Sequence, residues 1–277
     1  MNTPFFRFAL ITVALAIMPA AQPGPTLPTQ QVCTLMPLPN VYHGHRAAPR
    51  IHNRNGTSSN WSGYAVQTSL ASPQKNAVSN VEGTWTIPTV SPSMSSSTYS
   101  SFWVGIDGNS DNTVEQIGTE QDWTPSGQQN YVWFEMYPHY AYEITGLPDK
   151  FGAGVKYMGS GTFVLSITNV TRGVAYTVPT RYTNMRKAQR GSAEWIAEAP
   201  YSGGVLPLAD FGTASFSSCV ATLDCFTGPI DYAPYWQNEL ITMQTSRGVI
   251  KAQPSTLNDA GTRGATSSAF WVRWLHE

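Results

Sequence analysis

The sequence has little charge, and the charge it has is unevenly placed. Asp, Glu, Lys and Arg make up only 12% of the 277 residues, about half the usual share of about 25%. No acid occurs before Glu82, whereas the first 54 residues contain Arg7, Arg46, Arg50 and Arg54. Residues 55–277 hold 12 of the 16 bases and all 17 acids, a net charge of −5. This balance excludes the basic face of a nucleic-acid-binding protein and suits either an acidic medium or ordinary secretion.

Histidine is scarce as well, and its scarcity excludes several kinds of catalytic site. After Asn53 the chain has only His139 and His276, so a Ser-His-Asp or Cys-His site would have to use His139. The surrounding YPHYAY has no nucleophile signature, and the G-x-S-x-G, H-E-x-x-H and phosphate-loop motifs are absent. His and Cys are too few for a protein-built metal site, so we predict no metal and no cofactor. Carboxylate and amide side chains remain for the chemistry.

Six carboxylates beside aromatic residues are candidates for that chemistry, and their spacing does not say which of them meet in space: Glu82, Asp107, Glu135, Glu143, Glu194 and Glu198. In GSAEWIAEAP, residues 191–200, Glu194 and Glu198 would share one face of a strand. At about 3.3 Å per residue they would lie about 13 Å apart. The two carboxylates therefore cannot act on the same water molecule.

The three cysteines fit an oxidising compartment. Cys219 and Cys225 lie in CVATLDC, and we predict a disulfide between them that would contribute roughly 2 kcal/mol; two free thiols are the alternative. Cys33 lies in a segment that we expect to be removed.

The N-terminus predicts an exported protein. Residues 8–18 are apolar and residues 19–21 are small, as in a secretory signal peptide spanning 1–21. Residues 22–54 are rich in Pro and Gln and end in the basic HGHRAAPRIHNR, which indicates a pro-segment or a plain flexible extension. We predict one folded domain over 55–277, secreted and monomeric, with no membrane or nucleic-acid partner.

Short alternating segments dominate the chain from Asn60 onwards. They are rich in Val, Ile, Thr and aromatic residues and are separated by Gly, Pro, Asn and Asp, which is typical of β-strands. Nine are predicted as strands: NWSGYAVQT, NVEGTWTIP, SSFWVGIDG, TVEQIGTEQ, NYVWFEMYP, GTFVLSITNV, VAYTVPTRYT, SAEWIAEAP and SAFWVRWLH. A short helix is predicted over 233–241. The pattern predicts an all-β fold, an antiparallel β-sandwich of two sheets of the lectin-like jelly-roll type.

Alternation gives two of these strands a core face and a second, unusual face. The residues predicted to face the core are Val104, Ile106, Val132, Phe134 and Met136, and those on the other face are Trp103, Gly105, Asp107, Trp133, Glu135 and Tyr137. Tryptophans combined with carboxylates indicate a cleft for an extended polymer. A solvated outer face is the alternative.

Several motifs in order resemble the eqolisins, the glutamic endopeptidases. They are NWSGYAV, TWTIP, FWVGIDG, VEQIGTEQ, YVWFEMYPHYAYEI, SITN and SAEWIAEAP, and they cover roughly residues 60–275. The resemblance implies two antiparallel sheets with a concave cleft, and an acid-active endopeptidase that cleaves proteins or peptides. It implies a catalytic dyad of Gln116 and Glu194, with a cleft lined by Trp103, Asp107, Trp133 and Glu135. It leaves Glu198 a supporting role, in structure or in a distal subsite.

The resemblance also suggests a mechanism and shows two departures. Glu194 would act as general base on the attacking water, and Gln116 would stabilise the oxyanion. Many members have Asp where this chain has His139 and Glu143, so we expect subsite preference or pH optimum to differ. The competing class is a lectin-like sandwich that binds or hydrolyses carbohydrate, because such proteins also pair Trp with carboxylates.

Overall fold

The computed structural model describes residues 35–37, 50, 52–54, 56–93, 97–144, 150–257 and 268–277. The predicted signal peptide, most of the predicted pro-segment and Cys33 lie outside the described residues, so the boundaries at 21 and 54 remain predictions. No helix in the described part has the length and apolar character needed to cross a membrane.

The described residues form eighteen β-strands and one turn of 3-10 helix, Thr180–Tyr182. The strands are β1 Leu35–Pro37, β2 His52–Arg54, β3 Thr57–Ser58, β4 Trp61–Gln67, β5 Val78–Trp85, β6 Ser101–Ile106, β7 Val114–Thr124, β8 Gly127–Tyr137, β9 Tyr142–Ile144, β10 Phe151–Gly159, β11 Thr162–Asn169, β12 Val174–Thr177, β13 Ala193–Glu198, β14 Thr213–Leu223, β15 Phe226–Pro229, β16 Gln237–Gln244, β17 Ile250–Pro254 and β18 Phe270–Trp274.

The strands form two sheets that share β16. The first sheet has the order β16-β4-β13-β6-β7-β8-β9-β1. The second runs β12-β11-β10-β5-β14-β18-β17-β16, with β15 also beside β14. These pairings are antiparallel, whereas β3 runs parallel to β16 and carries β2 on its other side. The predicted all-β antiparallel fold is confirmed.

The main core lies between the two sheets. Alternate residues of the first sheet, such as Val104, Phe134 and Trp195, pack with residues of the second, such as Trp85 and Phe163. The opposite face of the first sheet carries a separate apolar cluster: Trp61, Ala65, Trp103, Val114, Trp133, Ile196 and Ile241. The faces predicted for β6 and β8 are therefore confirmed, because their aliphatic residues lie in the main core and their tryptophans lie on the other side.

Two local predictions are wrong. The segment predicted as a helix forms a turn at 233–235 and then β16, because Gln237–Ile241 pair with β4 along their whole length. The predicted disulfide is absent: Cys219 is a buried free thiol and Cys225 an exposed one. The segment between them is the end of β14 and a tight hairpin turn rather than a loop. Cys225 follows Leu223 by two residues, in this turn. Cys219 lies four residues, about 13 Å, back along β14 from Leu223, so the two thiols are beyond the reach of a disulfide.

Candidate active site

Strand register places six residues in one row across the outer face of the first sheet. Directly opposite residues of paired strands point to the same face, so the row follows from five pairings. It runs across β16, β4, β13, β6, β7 and β8 as Glu239, Ala65, Glu194, Gly105, Gln116 and Glu135. We call it the dyad row, because it contains both predicted catalytic residues.

Gly105 separates the two predicted catalytic residues. Gln116 and Glu194 pair with Gly105 from opposite sides, so their backbones lie two strand spacings apart, about 10 Å. Because glycine has no side chain, the amide and the carboxyl can both extend over it. A Cβ at this position would lie 2.9 Å from the Trp103 ring and 3.2 Å from the Cβ of Gln116. The space above Gly105 therefore lies between the two side chains and is bounded by the Trp103 ring.

We expect Gly105→Ala to reduce kcat/KM by at least about tenfold, because the methyl group would occupy this space and displace Gln116 or Trp103. Overpacking of this kind also destabilises by about 1–3 kcal/mol. Activity and melting temperature should be measured together. Gly152→Ala is the matched control, since a Cβ there would meet no atom closer than 3.4 Å on the second sheet. Full activity in Gly105→Ala would contradict the placement of the reacting group.

Gln116 is held in one orientation by Glu135. Its Nε2 donates a hydrogen bond of 3.1 Å to Oε2 of Glu135, and only the nitrogen end of an amide can donate to a carboxylate. Both residues are fully buried. Within the described part of the chain, no donor reaches Oε1 of Gln116. The amide therefore has one N–H used by Glu135, while its second N–H and its carbonyl oxygen are available to a ligand.

Glu194 is a fully buried carboxyl. Among the described residues, no donor reaches either of its oxygens with hydrogen-bond geometry. Burial is the main cause that raises the pKa of Glu194 well above its ordinary value, and the charges of Asp107 and Asp111 add to it. The nearby Ser192 hydroxyl and the Arg50 guanidinium oppose the rise. A carboxyl in this setting binds a proton strongly, as a residue that accepts and returns a proton must.

The second row across the same face is apolar. It contains Trp103 and Trp133 on either side of Gly118, with Ile196 beside Trp103. A Cβ at Gly118 would lie 2.5 Å from the Cβ of Trp103, so glycine is needed between the indoles. Glu143 lies opposite Trp133 at the end of this row. The predicted lining residues Trp103, Trp133 and Glu135 thus lie next to the predicted dyad.

Glu198 has contacts that suit a structural role. Trp103 Nε1 donates to its Oε2 at 2.8 Å, and Asn60 Nδ2 donates to its Oε1 at 3.2 Å. It shares the face of Glu194, but Ile196 lies between them on β13. Glu198 therefore fixes the indole of Trp103 and stands outside the dyad row. Glu82 lies on the exposed face of the second sheet, away from this site.

Asp107 lies at the end of β6 and holds the loop that leads into β13. Its two carboxyl oxygens accept the backbone N–H groups of Arg190 and Gly191, each at 2.7 Å. Burial is the largest cause that raises the pKa of Asp107 to about 8, the charge of Asp111 adds to the rise, and the backbone hydrogen bonds oppose it. These contacts make Asp107 a support for the strand that carries Glu194, whereas the resemblance implied a lining residue.

Two functional candidates escaped sequence reasoning. Glu115 is fully buried near Asp107 and Glu194. Burial first, and then the charges of Asp107, Asp111 and Glu194, raise its pKa well above the ordinary value. Glu239 ends the dyad row, but its segment was predicted as a helix, which hides the alternation that would have placed it there. By register Glu115 shares the core face with Ile106 and Met136, and an acid at a core-face position of a chain this poor in charge was the available signal.

Arg50, from the predicted pro-segment, is bound at the Glu239 end of the dyad row. Its Nη1 lies 2.7 Å from Oε2 of Glu239 and 2.9 Å from Oδ1 of Asn109. Its backbone N–H donates to the carbonyl of Gly108 at 3.1 Å. The residue is only 5% exposed. Its guanidinium is also close enough to Glu194 to oppose the rise of that pKa.

Comparison with known proteins gives consistent matches. The sequence model of the Peptidase A4 family matches residues 59–262. Aspergillopepsin-2 of Aspergillus niger is 31% identical over 208 residues, which cover 64% of this chain and 71% of that protein. Scytalido-glutamic peptidase with a transition state analog inhibitor has a TM-score of 0.60 at 21% identity, covering 78% of this chain and 98% of its own. SCP-B, a member of the Eqolisin family of peptidases in a complex with the tripeptide Ala-Ile-His, has a TM-score of 0.57 at 20% identity over the same shares.

Proposed function

We propose a mechanism from the premise that this chain belongs to the Peptidase A4 family, the eqolisins, and is a glutamic endopeptidase. Glu194 takes a proton from a water molecule, which attacks the scissile carbonyl of a protein or peptide. The free N–H of Gln116 donates to the oxyanion that forms, and Glu194 returns the proton to the leaving amine. Atoms and charge balance over the cycle, because one water is consumed and Glu194 ends as it began.

The single observation that supports this mechanism is the register of the dyad row. It brings an amide and a carboxyl to the two sides of Gly105, and Glu135 fixes the amide so that one N–H remains for the substrate. Stabilising an oxyanion with a fixed donor is worth about 10²–10³ in kcat. A glutamate can be ionised in acid, where histidine would be protonated, so we propose acid-active hydrolysis by the ionised fraction of Glu194, whose pKa is raised by burial. The family match favours a peptidase over the carbohydrate alternative.

The direct test is incubation of the purified protein at pH 3–4 with an unfolded protein substrate. We expect new peptides from the wild type and none from a variant that lacks the Glu194 carboxyl. New peptides produced by the variant that lacks the Glu194 carboxyl would contradict the mechanism. We further propose that the enzyme is secreted as a monomer after removal of residues 1–21; a cell-bound product with its signal intact would contradict this.

We also propose that residues 22–54 are a pro-segment that blocks the dyad row. Its described parts lie at opposite edges of the first sheet: β1 pairs with β9 at one edge, and Arg50 binds Glu239 of β16 at the other. The twelve residues between Pro37 and Arg50 can span about 43 Å when extended. The eight strands of the first sheet are about 34 Å across. The connecting chain is thus long enough to cross the face that carries Gln116 and Glu194.

Acid should release this segment, because its anchor depends on an ionised carboxylate. Burial raises the pKa of Glu239, but the hydrogen bond and charge of Arg50, with Asn109 and the Gly56 N–H, outweigh it and lower the pKa below its ordinary value. Because the pKa of Glu239 is lowered, its ion pair with Arg50 is fully present above the ordinary pKa of a glutamate. The ion pair is lost as the pH falls through the lowered pKa. The anchor should persist in mild acid and fail in stronger acid.

We expect the purified precursor to stay intact at pH 7 and to be cleaved near residues 50–55 at pH 3. Arg50→Gln should be cleaved at a higher pH than wild type, because without the guanidinium the segment lacks its ion pair with Glu239 at every pH. Arg172→Gln, an exposed arginine of the body, is the control and should behave as wild type. Electrophoresis and activity across pH 3–7 give the readout. An unchanged full-length band at pH 3, or a precursor already fully active at pH 7, would refute the proposal.

A further inference from the structure

A buried serine hydroxyl lies on the same strand face as the proposed general base. Ser192 immediately precedes β13, and its carbonyl accepts the backbone N–H of Asp107 at 3.0 Å, which continues the pairing of β13 with β6 by one residue. Side chains two positions apart on an extended chain point to the same side, so Ser192 shares the face of Glu194. The residue is fully buried, and the proposed mechanism gives it no task.

The neighbours of Ser192 across the sheet already have partners. The register leads to Gln67 of β4 on one side and to Asp107 on the other. The Gln67 amide donates to the Ser110 hydroxyl at 2.9 Å and accepts from the Asn109 amide at 3.0 Å. Both carboxyl oxygens of Asp107 accept backbone N–H groups. No described group reaches the Ser192 hydroxyl with hydrogen-bond geometry, and a buried hydroxyl left in this state costs free energy.

The Glu194 carboxyl is the acceptor that remains for this hydroxyl. No described donor reaches its two oxygens, so a donor and an acceptor that both lack a hydrogen bond lie on one strand face. Burial is the largest cause that acts on the pKa of Glu194 and raises it, and the Ser192 hydroxyl is the next largest and lowers it. The two groups are therefore close. Rotation about the χ1 angle of a serine moves its hydroxyl between staggered positions, so a small change can join them.

Other charged groups also face Glu194 from neighbouring elements, and most of them are acids. Asp107 and Asp111 raise its pKa from the end of β6 and the loop that follows, whereas Arg50 lowers it. Further carboxyls are Glu115 on β7, Glu135 on β8 and Glu239 on β16, and β4 carries no charged residue. Arg50 belongs to the segment that we propose is removed. The Ser192 hydroxyl lowers the pKa of Glu194 and stays in the mature chain.

We propose that Ser192 is a positioning residue for the general base. Its hydroxyl donates a hydrogen bond to the Glu194 carboxylate once that group is ionised, and it fixes the orientation of the carboxylate beside Gly105. A hydrogen bond to a charged acceptor is stronger than one to a neutral acceptor. The hydroxyl therefore favours the ionised form, which is the form that can take a proton from water. This inference rests on the proposed mechanism, because that mechanism makes Glu194 the base.

The test is the dependence of kcat/KM on pH between pH 3 and pH 8, with one peptide substrate. Only ionised Glu194 can act as a base, so the rate falls on the acid limb of the profile. In Ser192→Ala the acid limb should move to higher pH, and kcat/KM at pH 3 should fall by roughly tenfold, as loss of one hydrogen bond to a charged group gives. The loss should shrink as pH rises, because the carboxyl then ionises without the hydroxyl. Ser192→Thr keeps a hydroxyl and should restore most of the rate at pH 3.

Ser62→Ala is the matched control. Ser62 is also a fully buried serine whose hydroxyl no described group reaches. It lies on the core side of β4, because its neighbour Trp61 belongs to the apolar cluster on the opposite face. Removing its hydroxyl tests the general effect of deleting such a group, and the acid limb should stay where it is in wild type. Melting temperatures of all variants show whether each is folded.

Several results would overturn the proposal. They are an acid limb that does not move in Ser192→Ala, an equal shift in Ser62→Ala, and a Ser192→Thr limb that coincides with that of Ser192→Ala. A loss of about a hundredfold or more that is the same at every pH would make the hydroxyl a nucleophile. That result would also overturn the positioning role.

A second measurement does not depend on activity. If wild type cleaves no peptide, or if Glu194→Gln remains active, the mechanism fails, but the contact between the hydroxyl and the carboxylate is still tested by NMR. In Gln116→Ala with ¹³C-labelled glutamate side chains, the Glu194 signal is the one that disappears when Glu194→Gln is added. Its titration midpoint should rise when Ser192→Ala is added and stay unchanged with Ser62→Ala. An equal midpoint with and without the Ser192 hydroxyl refutes the contact.

Discussion

Glu194→Gln lowers kcat on an unfolded protein substrate at pH 3–4 by at least about a hundredfold, with the fold intact. The amide keeps the shape of the carboxyl but cannot accept a proton from water, so the general base is lost. Gln116→Ala removes the oxyanion donor and should cost about 10²–10³ in kcat. Glu135→Gln should cost less than either, because it removes only the group that orients Gln116. Initial rates by mass spectrometry of the peptides give the comparison.

A stability measurement separates loss of chemistry from loss of fold. Burial raises the pKa of Glu194 well above its ordinary value, so ionising this side chain at neutral pH costs free energy that a neutral glutamine does not. Glu194→Gln should therefore melt at the same or a higher temperature than wild type at pH 7. Glu82→Gln, on the exposed face of the second sheet, is the control for activity. More than about a tenth of wild-type activity in Glu194→Gln would show that another residue is the base.

The second large effect is a fall in stability as pH rises. Buried carboxyls near the dyad row have raised pKa values, mainly because of burial: Asp107, Glu115, Glu120 and Glu194. Such groups bind protons more strongly in the folded chain than in the unfolded chain. Their contribution to the free energy of unfolding is therefore fully present below their unfolded pKa of about 4. It is lost progressively as pH rises, up to about 8 for Asp107. One pKa unit corresponds to about 1.4 kcal/mol, so Asp107 alone contributes on the order of 5 kcal/mol.

We expect the melting temperature to fall by about 10–20 °C between pH 4 and pH 8, at about 2–4 °C per kcal/mol for a domain of this size. Calorimetry on the Gln116→Ala variant avoids self-digestion and keeps every carboxyl in place. Adding Glu115→Gln should flatten the profile, because no described donor reaches the Glu115 oxygens and a neutral amide there has no proton to lose. Adding Glu82→Gln instead should leave the slope unchanged. A melting temperature that rises from pH 4 to pH 7 would contradict the raised values.

The sequence was sufficient for the faces of the strands but not for their partners. Alternation placed Trp103 and Trp133 opposite the core, because a strand has a period of two whatever its neighbours are. Gln116 and Glu194 are adjacent only through β6, and no local pattern encodes which strand lies between two others. The family resemblance named that pair, and the register of Gly105 explains how the two residues meet.

The features that were missed depend on long-range pairing. β10 was not predicted, because Gly152 and Gly154 weaken its strand pattern, yet it pairs with strands on both sides. The first part of β16 was predicted as a helix because its strand conformation depends on pairing with β4, which no local pattern shows. The position of Glu239 in the dyad row was missed for the same reason. Arg50 could be recognised as basic, but its contact with Glu239 spans 189 positions. The disulfide prediction was wrong for the same reason, since CVATLDC spans the end of β14 and a hairpin turn.

β13 sets a strict limit on how this enzyme can change in length. All six of its residues are buried, and it pairs along its whole length with β4 and β6. Trp195 packs in the main core, while its neighbour Glu194 lies in the dyad row. Deleting or inserting one residue just before Ala193 would shift the strand's frame by one position. It would then turn the indole towards the substrate and the carboxylate into the core. Natural or engineered length variation should therefore be tolerated in the turns but not within residues 192–198.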